Sequence, residues 1–249
     1  MSTSSNGNIK PLKIVLIGYG KMGKAIEQIA LQRGHHILAA IDADNRNLLN
    51  DQTLKNADVA IEFTGPDSVV SNLEACFHSG TPVVCGSSGW LDAWDDIKRE
   101  CERAGTALLY ASNFSIGVNI FFELNKKLAQ LMSGHGEYDV MIEEIHHTEK
   151  KDAPSGTAIS LAKQIIEFNP NKKSWTVDAA KEKNELQIVS KRIDPAPGTH
   201  TIKYQSNIDD ISITHTAHNR QGFATGAVLA AEFLAGKTGI YSMQDVLGL

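Results

Sequence analysis

A short apolar run that leads directly into a glycine-rich turn constrains the fold of this chain more than any other feature. Lys13 to Ile17 read KIVLI, which is typical of a strand buried on both faces, and Gly18 to Gly23 follow at once as GYGKMG. Apolar residues then recur at helical spacing up to Gly34, and HILAAID reads as a second strand that ends at Asp42. This succession predicts a β-α-β unit with parallel strands.

The same alternation of apolar runs and helical patterns continues through the first half of the chain. VAIEF, PVVCG and ALLY are the next predicted strands, and helical patterns separate them. Such alternation predicts an α/β fold with a Rossmann-type, doubly wound parallel sheet. We assign residues 1–112 to a dinucleotide-binding domain, which residues 221–249, a small-residue-rich helix and a short tail, return to complete.

The pattern changes past about Asn113. A predicted helix, FFELNKKLAQLM, and a predicted strand, YDVMIEEIH, precede a further helix from Thr157, and three strand-like segments follow: LQIVSKRI, HTIKYQ and DISITHTAH. The last alternates apolar and polar residues, as an antiparallel strand with one covered face does. We expect residues 113–220 to form a second α+β domain with a mostly antiparallel or mixed open sheet.

The composition limits the partners of this chain. Its 24 basic and 29 acidic residues give a net charge of −5, so nothing draws it to nucleic acid or to an anionic membrane surface. No window approaches the ~18 apolar residues of a membrane span, and the first residues lack a signal-like core. Three scattered cysteines without C-x-x-C spacing fit a reducing compartment. We therefore expect a cytoplasmic protein with no nucleic-acid or membrane partner.

The glycine-rich turn matches the pattern G-x-G-x-x-G, and its place between a strand and a helix gives the match its weight. There the first glycine allows a tight turn, the second lets the backbone approach a pyrophosphate, and the third lets helix and strand pack closely. The helix N-terminus adds unpaired N–H groups. We predict a nicotinamide or flavin dinucleotide; the alternative is a glycine turn that binds none. The predicted contacts are Gly18, Tyr19, Gly20, Lys21, Met22 and Gly23.

The end of the second predicted strand bears on the choice between NADH and NADPH. Asp42 lies where a carboxylate can accept hydrogen bonds from the adenosine ribose hydroxyls, and it would repel a 2′-phosphate. Lys21 or Arg46 would attract one, whereas Ala43 offers no guanidinium. The balance favours NADH, or the use of both cofactors.

Two further loops follow predicted strands, where ligands of open α/β sheets bind. We expect both loops to face the nicotinamide; the alternative is that they are turns without a ligand. The residues concerned are Gly86, Ser87 and Ser88 after PVVC, and Ala111, Ser112, Asn113 and Phe114 after ALLY.

The segment EEIHHTEKKDAPSGTA gathers polar residues of a second kind. His146 and His147 project to opposite sides if the strand continues, so one of them faces a given ligand. Lys150 and its neighbour Lys151 add cations, and a helix begins at Ser155-Gly156-Thr157. The free N–H groups of that helix start and its hydroxyls suit a carboxylate, and an adjacent histidine can act as a general acid.

Two other interpretations of this segment stay open. Ser155 or Asp152 caps the helix and the His-Lys loop is merely solvated. Alternatively, a metal ion is bound by glutamates and histidines of the strand, although adjacent histidines seldom converge on one ion and the lysines oppose it. The candidate ligands are Glu143, Glu144, His146 and His147.

The run EIHHTEKKDAPSGTA resembles the signature of the dihydrodipicolinate reductase (4-hydroxy-tetrahydrodipicolinate reductase) family of the lysine and diaminopimelate pathway. The resemblance extends over nearly the whole chain, through the glycine turn with its Met-Gly ending, DVAIEFTGP, CGSSGW, ASNFSIGVN, GTHTIKY and the C-terminal FATGAVLAAEFLAGKTGIYSMQDVL.

The resemblance implies a reductase that transfers a hydride from NADH or NADPH to C4 of a cyclic dicarboxylate, in its dehydrated or 4-hydroxylated form, with no metal. His146 matches the family's proton donor or acceptor, and Lys150 its second proton donor. His147 matches a substrate contact, and Gly156 and Thr157 match contacts to a substrate carboxylate. The resemblance also implies that the second domain, residues 113–220, binds substrate and joins subunits, since the family is usually a homotetramer joined through the sheets of that domain.

Three departures from the family pattern affect these expectations. The glycine turn is one residue shorter than the commonest form, and Ala43 stands where the family often has an arginine; both bear on cofactor preference. RIDPAPGTH, from Arg192 to His200, holds two prolines, which puts that loop's conformation and any contact of Arg192 in question.

Two hypotheses of other classes compete with the reductase. A dehydrogenase of amino or hydroxy acids would share the dinucleotide-binding half and act on another carbonyl or imine. A dinucleotide-sensing regulatory protein would need a partner or DNA surface, and the acidic balance speaks against DNA.

Overall fold

The computed structural model describes residues 10–219 and 221–249, which fold as two compact units. Within these residues, the first unit consists of 10–115 and 221–249, and the second of 116–219. No helix in the described part of the chain has both the length and the apolarity to cross a membrane.

The described residues form two sheets and the helices that cover them. The strands are β1 (Lys13–Ile17), β2 (His36–Ile41), β3 (Val59–Glu62), β4 (Val83–Cys85), β5 (Ala107–Tyr110), β6 (Asp139–His146), β7 (Ser174–Thr176), β8 (Glu185–Arg192), β9 (Gly198–Gln205), β10 (Asp210–Ala217) and β11 (Gly239–Tyr241). The α-helices are α1 (Lys21–Gln32), α2 (Asp51–Lys55), α3 (Pro66–His78), α4 (Trp94–Ala104), α5 (Ile116–Met132), α6 (Gly156–Phe168), α7 (Gln221–Leu234) and α8 (Met243–Leu247).

The first unit is built on a six-stranded sheet in the order β11-β5-β4-β3-β1-β2, with every neighbouring pair parallel. Helices α1 and α7 cover one face, and α3 and α4 cover the other. Both faces are therefore apolar, and β3 and β4 are buried at every residue. The predicted Rossmann-type sheet is confirmed.

The C-terminal segment is tied into the first unit by charge as well as by packing. Arg33, at the end of α1, donates from Nε and Nη2 to the two carboxylate oxygens of Glu232 on α7, at 2.7 and 2.8 Å. His35 Nε2 lies 2.8 Å from the same carboxylate. Beyond the helix, β11 adds to the sheet beside β5. Burial raises the pKa of Glu232, but its contacts with Arg33 and His35 outweigh this and lower it.

The second unit has a five-stranded mixed sheet in the order β10-β9-β6-β8-β7. The pairs β10–β9 and β9–β6 are antiparallel, whereas the pairs β6–β8 and β8–β7 are parallel. Side chains of α5 and α6 pack with those of the sheet in one apolar cluster. Along β6 every second residue is buried, and the buried series ends in two polar residues, Glu144 and His146.

Several short elements escape the sequence analysis because they carry no apolar periodicity. A 3-10 turn at Ala43–Leu48 and helix α2 lie in the polar run DADNRNLLNDQTLK, and their starts are capped by Asp42 and Asn50. Strand β7 has only three residues, two of which are exposed. Helix α5 begins at Ile116, several residues before the predicted start of the FFELNKKLAQLM helix.

Candidate active site

The carboxyl ends of the parallel strands in the first unit lie along one edge of its sheet. The predicted cofactor residues all follow these strand ends: the glycine turn follows β1, Asp42 follows β2, residues 86–88 follow β4 and residues 111–114 follow β5. The structure thus brings the predicted cofactor residues of this unit to one edge.

The glycines of the first turn differ in what surrounds them. Gly18 has a φ of +96°, and a Cβ there would lie 2.2 Å from the carbonyl oxygen of Phe63. A Cβ on Gly23 would lie 2.2 Å from the carbonyl oxygen of Gly18. Gly20, by contrast, is exposed, and a Cβ built on it has no neighbour within 4 Å.

Gly20 is also the N-cap of α1, and no side chain caps that helix start. Lys21 and Met22 form the first turn of α1, and the Tyr19 hydroxyl hydrogen-bonds to Glu27. The open space at Gly20 beside uncapped N–H groups is what a pyrophosphate needs. These residues fit a dinucleotide.

Asp42 is exposed at the end of β2 and belongs to a capping box. Its Oδ1 accepts a hydrogen bond from the Ala43 N–H at 2.9 Å, and its own N–H donates to Asn45 Oδ1 at 2.7 Å. Arg46, considered above as a partner for a 2′-phosphate, donates instead to Ser71 Oγ at 3.2 Å and to the side chain of Asn72. The turn therefore fixes the carboxylate and directs the guanidinium to α3.

The loop after β4 has one exposed and one buried serine. Ser88 is exposed, whereas Ser87 is 5% exposed and its Oγ accepts from the Thr64 N–H at 2.8 Å. A Cβ on Gly86 would lie 2.2 Å from the ring of Phe63. Gly86 and Ser87 thus build this edge, and Ser88 lies at its surface.

The loop after β5 is divided in the same way. Ser112 is exposed, Ala111 and Asn113 are half-buried, and Asn113 Oδ1 accepts from the Ser115 N–H at 2.9 Å. Phe114 is buried, and its ring lies 5.4 Å from that of Phe63. Phe114 therefore supports the edge from beneath.

A residue that the sequence analysis missed lies under this edge. Glu62, at the end of β3, is fully buried. Its Oε1 accepts from the Thr64 N–H at 3.1 Å and from Asn72 Nδ2 at 3.2 Å. The signal for it was an acidic residue inside the apolar run VAIEF. Because Thr64 also bonds to Ser87, this carboxylate helps to order two of the loops.

In the second unit, Glu144 lies at the centre of a buried polar cluster. The carboxylate is fully buried, and each of its oxygens is 3.1 Å from the Ser155 N–H nitrogen. Oε1 lies 3.3 Å from the guanidinium of Arg192, and Oε2 lies 3.3 Å from Nδ1 of His146. Burial raises the pKa of this carboxyl, but the contacts with His146 and Ser155 outweigh burial and hold it well below its usual range.

His200 completes the cluster and was missed by the sequence analysis. It lies opposite Glu144 in the β6–β9 register, and its ring centroid is 5.1 Å from that of His146. Its Nε2 is 3.1 Å from Ser155 Oγ. Burial, together with the neighbouring His146, lowers the pKa of His200 to about 4, so this imidazole is neutral near pH 7. Glu144, which lies opposite His200 in the sheet, is 56 positions away along the chain, so no local pattern indicated the contact.

The predicted helix start is observed, and only one of the two predicted caps is its N-cap. Ser155 is the N-cap of α6, and its Oγ accepts from the Ala158 N–H at 3.2 Å. Gly156 is exposed with no atom within 4 Å of its Cβ position, and Thr157 is half-buried. Asp152 instead holds the Nζ of Lys150, which lies 2.8 Å from both of its oxygens.

The two histidines of the segment differ in burial as the alternation predicted. Strand β6 ends at His146, which is 7% exposed, while His147 is half-buried. The loop that follows is anchored by Arg192, whose guanidinium donates to the carbonyl oxygens of Asp152 at 2.6 Å and of Lys150 at 3.3 Å. The contact of Arg192 that its proline-rich loop put in question is therefore present.

The four residues of the metal alternative are not brought together. Glu143 points away from Glu144 on β6 and pairs with a lysine of β8 at 2.5 Å. Glu144 and His146 meet His200 rather than His147, and in residues 10–219 and 221–249 this trio alone has the spacing of metal ligands. A guanidinium already lies 3.3 Å from the shared carboxylate, which disfavours a second cation there.

A cavity of about 750 Å³ lies elsewhere, at the amino ends of the strands in the first unit. Its lining includes Leu12, Pro82 and Thr106, which precede β1, β4 and β5. None of the predicted site residues lines it. We therefore assign the cofactor residues to the carboxyl ends of the strands and not to this cavity.

Comparisons with known proteins match both halves of the chain to one family. Residues 12–114 match the family model described as dihydrodipicolinate reductase, N-terminus, and residues 117–247 match dihydrodipicolinate reductase, C-terminus. The 4-hydroxy-tetrahydrodipicolinate reductase of Christiangramia forsetii is 52% identical over 237 residues, which cover 95% of this chain and 98% of the relative. The enzyme of the same name from Methanopyrus kandleri is 37% identical over 201 residues, covering 78% of this chain and 72% of the relative.

Solved structures share the fold at lower identity. Dipicolinate-bound dihydrodipicolinate reductase from Paenisporosarcina sp. TG-14 aligns with a TM-score of 0.75 and 22% identity, over 95% of this chain and 99% of that one. Apo scyllo-inositol dehydrogenase from Lactobacillus casei aligns with a TM-score of 0.55 and 12% identity, over 96% and 93% of the two chains. The second likeness extends to the fold and not to the reaction.

Proposed function

This chain belongs to the dihydrodipicolinate reductase family, and we propose that it reduces 4-hydroxy-tetrahydrodipicolinate, or its dehydrated form, to tetrahydrodipicolinate in the diaminopimelate route to lysine. It is an oxidoreductase with a Rossmann-like nucleotide-binding unit. The observation that carries the assignment of roles is local to the second unit: a buried histidine and the open start of a helix share one carboxylate.

The first unit supplies the residues that would hold NADH or NADPH. The amides at Gly20 and Lys21 would hold the pyrophosphate, and the Asp42 carboxylate would accept hydrogen bonds from the adenosine ribose. The cofactor supplies the hydride when bound. NADH is the favoured form, because Asp42 repels a 2′-phosphate, Ala43 has no charge, and Arg46 is engaged on α3.

The second unit supplies the residues that would hold a dicarboxylate. The free N–H groups at Gly156 and Thr157 open α6, a helix of 13 residues, and its dipole favours an anion there. Lys150 offers a cation, for which a substrate carboxylate competes with Asp152. His147 contacts the substrate from the same loop. Two carboxylates are thus matched by a helix start and an ammonium group.

His146 is the proposed proton donor. Hydride addition to an unsaturated imine builds electron density on the ring, and an acid placed beside it must quench that charge. With Nδ1 lying 3.3 Å from Glu144, His146 holds the transferable proton on Nε2. Lys150 is the second proton donor: the hydroxylated form needs a further proton for its 4-hydroxyl group to leave as water, and the flexible stem of Lys150 allows the ammonium group to leave Asp152 and reach the substrate.

The test is the oxidation of NADH and NADPH by purified protein, with substrate generated in situ from pyruvate and aspartate semialdehyde by the preceding synthase. Rapid oxidation that depends on the synthase, faster with NADH, is the expected result. Binding of both cofactors without oxidation would refute the proposed substrate.

We propose further that the protein acts in the cytoplasm as a homotetramer joined through the sheet of the second unit. The support is the largely exposed edge strand β10 and a difference between the two faces of the sheet: α5 and α6 pack on one face, whereas along β6 and β9 the residues of the other face are only partly buried or exposed. Light scattering coupled to gel filtration should give four times the chain mass of 27.0 kDa. A monomeric mass would reject the assembly.

A further inference from the structure

We propose that Glu144 is a positioning residue that sets the tautomer of His146 and, with the same carboxylate, fixes the start of helix α6. The inference rests on the proposed function, since it concerns how the acid and the anion-binding amides of that site are held in place. Glu144 itself does not contact the substrate.

The two oxygens of the carboxylate have different neighbours. Arg192 approaches Oε1, at 3.3 and 3.4 Å, whereas Oε2 is the oxygen nearest to Nδ1 of His146. The Ser155 N–H lies within reach of both. Because the carboxylate is fully buried, each of these contacts is shielded from water. One group therefore connects β6, β8 and the N-cap of α6.

Nδ1 of His146 is buried, and its contact with Glu144 lacks the alignment of a regular hydrogen bond. Hydrogen bonds of catalytic groups are often long or poorly aligned before substrate binds. A carboxylate beside Nδ1 favours the tautomer with the proton on Nδ1, which leaves Nε2 as the atom that gives up and regains the transferred proton.

The surrounding charges make Glu144 the acceptor available to this imidazole. Glu144 shares β6 with His146, Arg192 faces it from β8, His200 from β9, and Lys150 follows in the loop; His215 on β10 lies opposite His200. Of these, only Glu144 is anionic. His200 Nε2 lies 3.7 Å from the same Oε2, but this imidazole is neutral near pH 7 and bonds to Ser155 Oγ, so it brings no competing cation. The nearby Asp152 carboxylate is paired with Lys150.

The decisive variant is Glu144→Gln, which keeps the shape of the side chain. Ser155 and Arg192 are both donors to Oε1, so the glutamine oxygen remains on their side and its NH2 group faces Nδ1. The neutral form of His146 should then change from the Nδ1–H to the Nε2–H tautomer. Nitrogen-15 correlation spectra at alkaline pH, assigned with His146→Gln and His200→Asn, report this directly.

Kinetics provide the second readout. Glu144→Gln should lower kcat on the order of 10- to 100-fold with little change in KM, because Ser155 and the helix start keep their acceptor. Glu144→Asp, which retains the charge, should keep the Nδ1–H tautomer and recover part of kcat. Glu143→Gln is the matched control on the opposite side of β6, and it should leave both tautomer and kcat as in the wild type.

An Nδ1–H tautomer that persists in Glu144→Gln would overturn the proposal, as would an unchanged kcat. A variant with a lower unfolding temperature but wild-type spectra would reduce Glu144 to a structural anchor and would equally reject it. The spectra need no substrate, so they decide this question even if the wild-type protein fails to turn over the proposed substrate.

Discussion

We place anions at the N-termini of two helices, α1 and α6, and the surroundings of these two helix starts differ. Helix α1 begins at Gly20, where the cap residue has no side chain and the space beside it is empty. Helix α6 begins after a buried serine cap, whose N–H donates to a buried glutamate that also pairs with a guanidinium. One site is open because side chains are absent, and the other is ordered because side chains are present.

The difference follows from what each ligand requires. A pyrophosphate needs close approach of backbone, which any side chain on the turn would block. A substrate that accepts a proton needs, beside its anion site, an acid in a fixed orientation. In the proposed mechanism the first helix start only binds its ligand, whereas the second also positions a proton donor through Glu144.

The largest effect is expected at the glycine turn. Gly18→Ala places a methyl group 2.2 Å from a backbone oxygen in a left-handed conformation, so the turn must deform. We expect a loss of about 3 kcal/mol or more in the free energy of unfolding. Urea denaturation measures it, and a stability equal to that of the wild type would show that this turn tolerates side chains.

The next effect concerns the acid at the second start. His146→Gln should reduce kcat on the order of 10²-fold or more with a modest change in KM, because general acid catalysis contributes ~10² to 10⁴. NADH affinity should be unaffected, since the cofactor residues lie in the other unit. Steady-state kinetics and fluorescence titration check the two expectations, and an unchanged kcat would remove His146 from the chemistry.

A pH-dependent loss of stability should follow from His200. Its pKa is about 4 when folded and near 6.5 when unfolded, so the unfolded chain binds more protons below pH 6.5. The contribution of His200 to the free energy of unfolding is therefore fully present above pH 6.5 and is lost as the pH drops toward 4. Between pH 6.5 and 5 we expect a loss of about 1.5 kcal/mol. Denaturant titrations across this range should show a smaller slope in His200→Asn, and an identical slope would contradict the assignment.

The smallest effects compare the two open glycines. Gly20→Ala and Gly156→Ala each add a methyl group where no atom lies within 4 Å, so both variants should fold with stability within about 1 kcal/mol of the wild type. Each should weaken only its own ligand, Gly20→Ala the dinucleotide and Gly156→Ala the dicarboxylate, by about tenfold. Calorimetric titrations of each variant with each ligand measure these affinities. A variant that bound both ligands equally weakly would show that the two ligands share one site.

The contrast also explains what the sequence could predict. The glycine turn, the strand before it and Asp42 lie within 30 residues, and their roles depend on local backbone geometry. The parallel sheet followed from the same local periodicity. The start of α6 was likewise predicted, because Pro154 and Ser155 are local signals.

The rest of the second site was beyond local pattern. His200 reaches the cluster only through antiparallel pairing of β9 with β6, and Arg192 only through parallel pairing of β8 with β6. Neither pairing is encoded by spacing along the chain. Glu144 was visible as a residue, but its importance depends on burial, which the alternation of β6 indicates only once the covered face is known.

We place the dinucleotide and the dicarboxylate at different helix starts, one in each unit. Backbone amide shifts of a nitrogen-15-labelled protein test this placement most directly, with NADH and dipicolinate as probes. Dipicolinate should shift the amides of Gly156 and Thr157 and leave those of Gly20 and Lys21 in place, and NADH alone should do the reverse. Dipicolinate shifts at Gly20 and Lys21 with none at Gly156 would show that this placement is wrong.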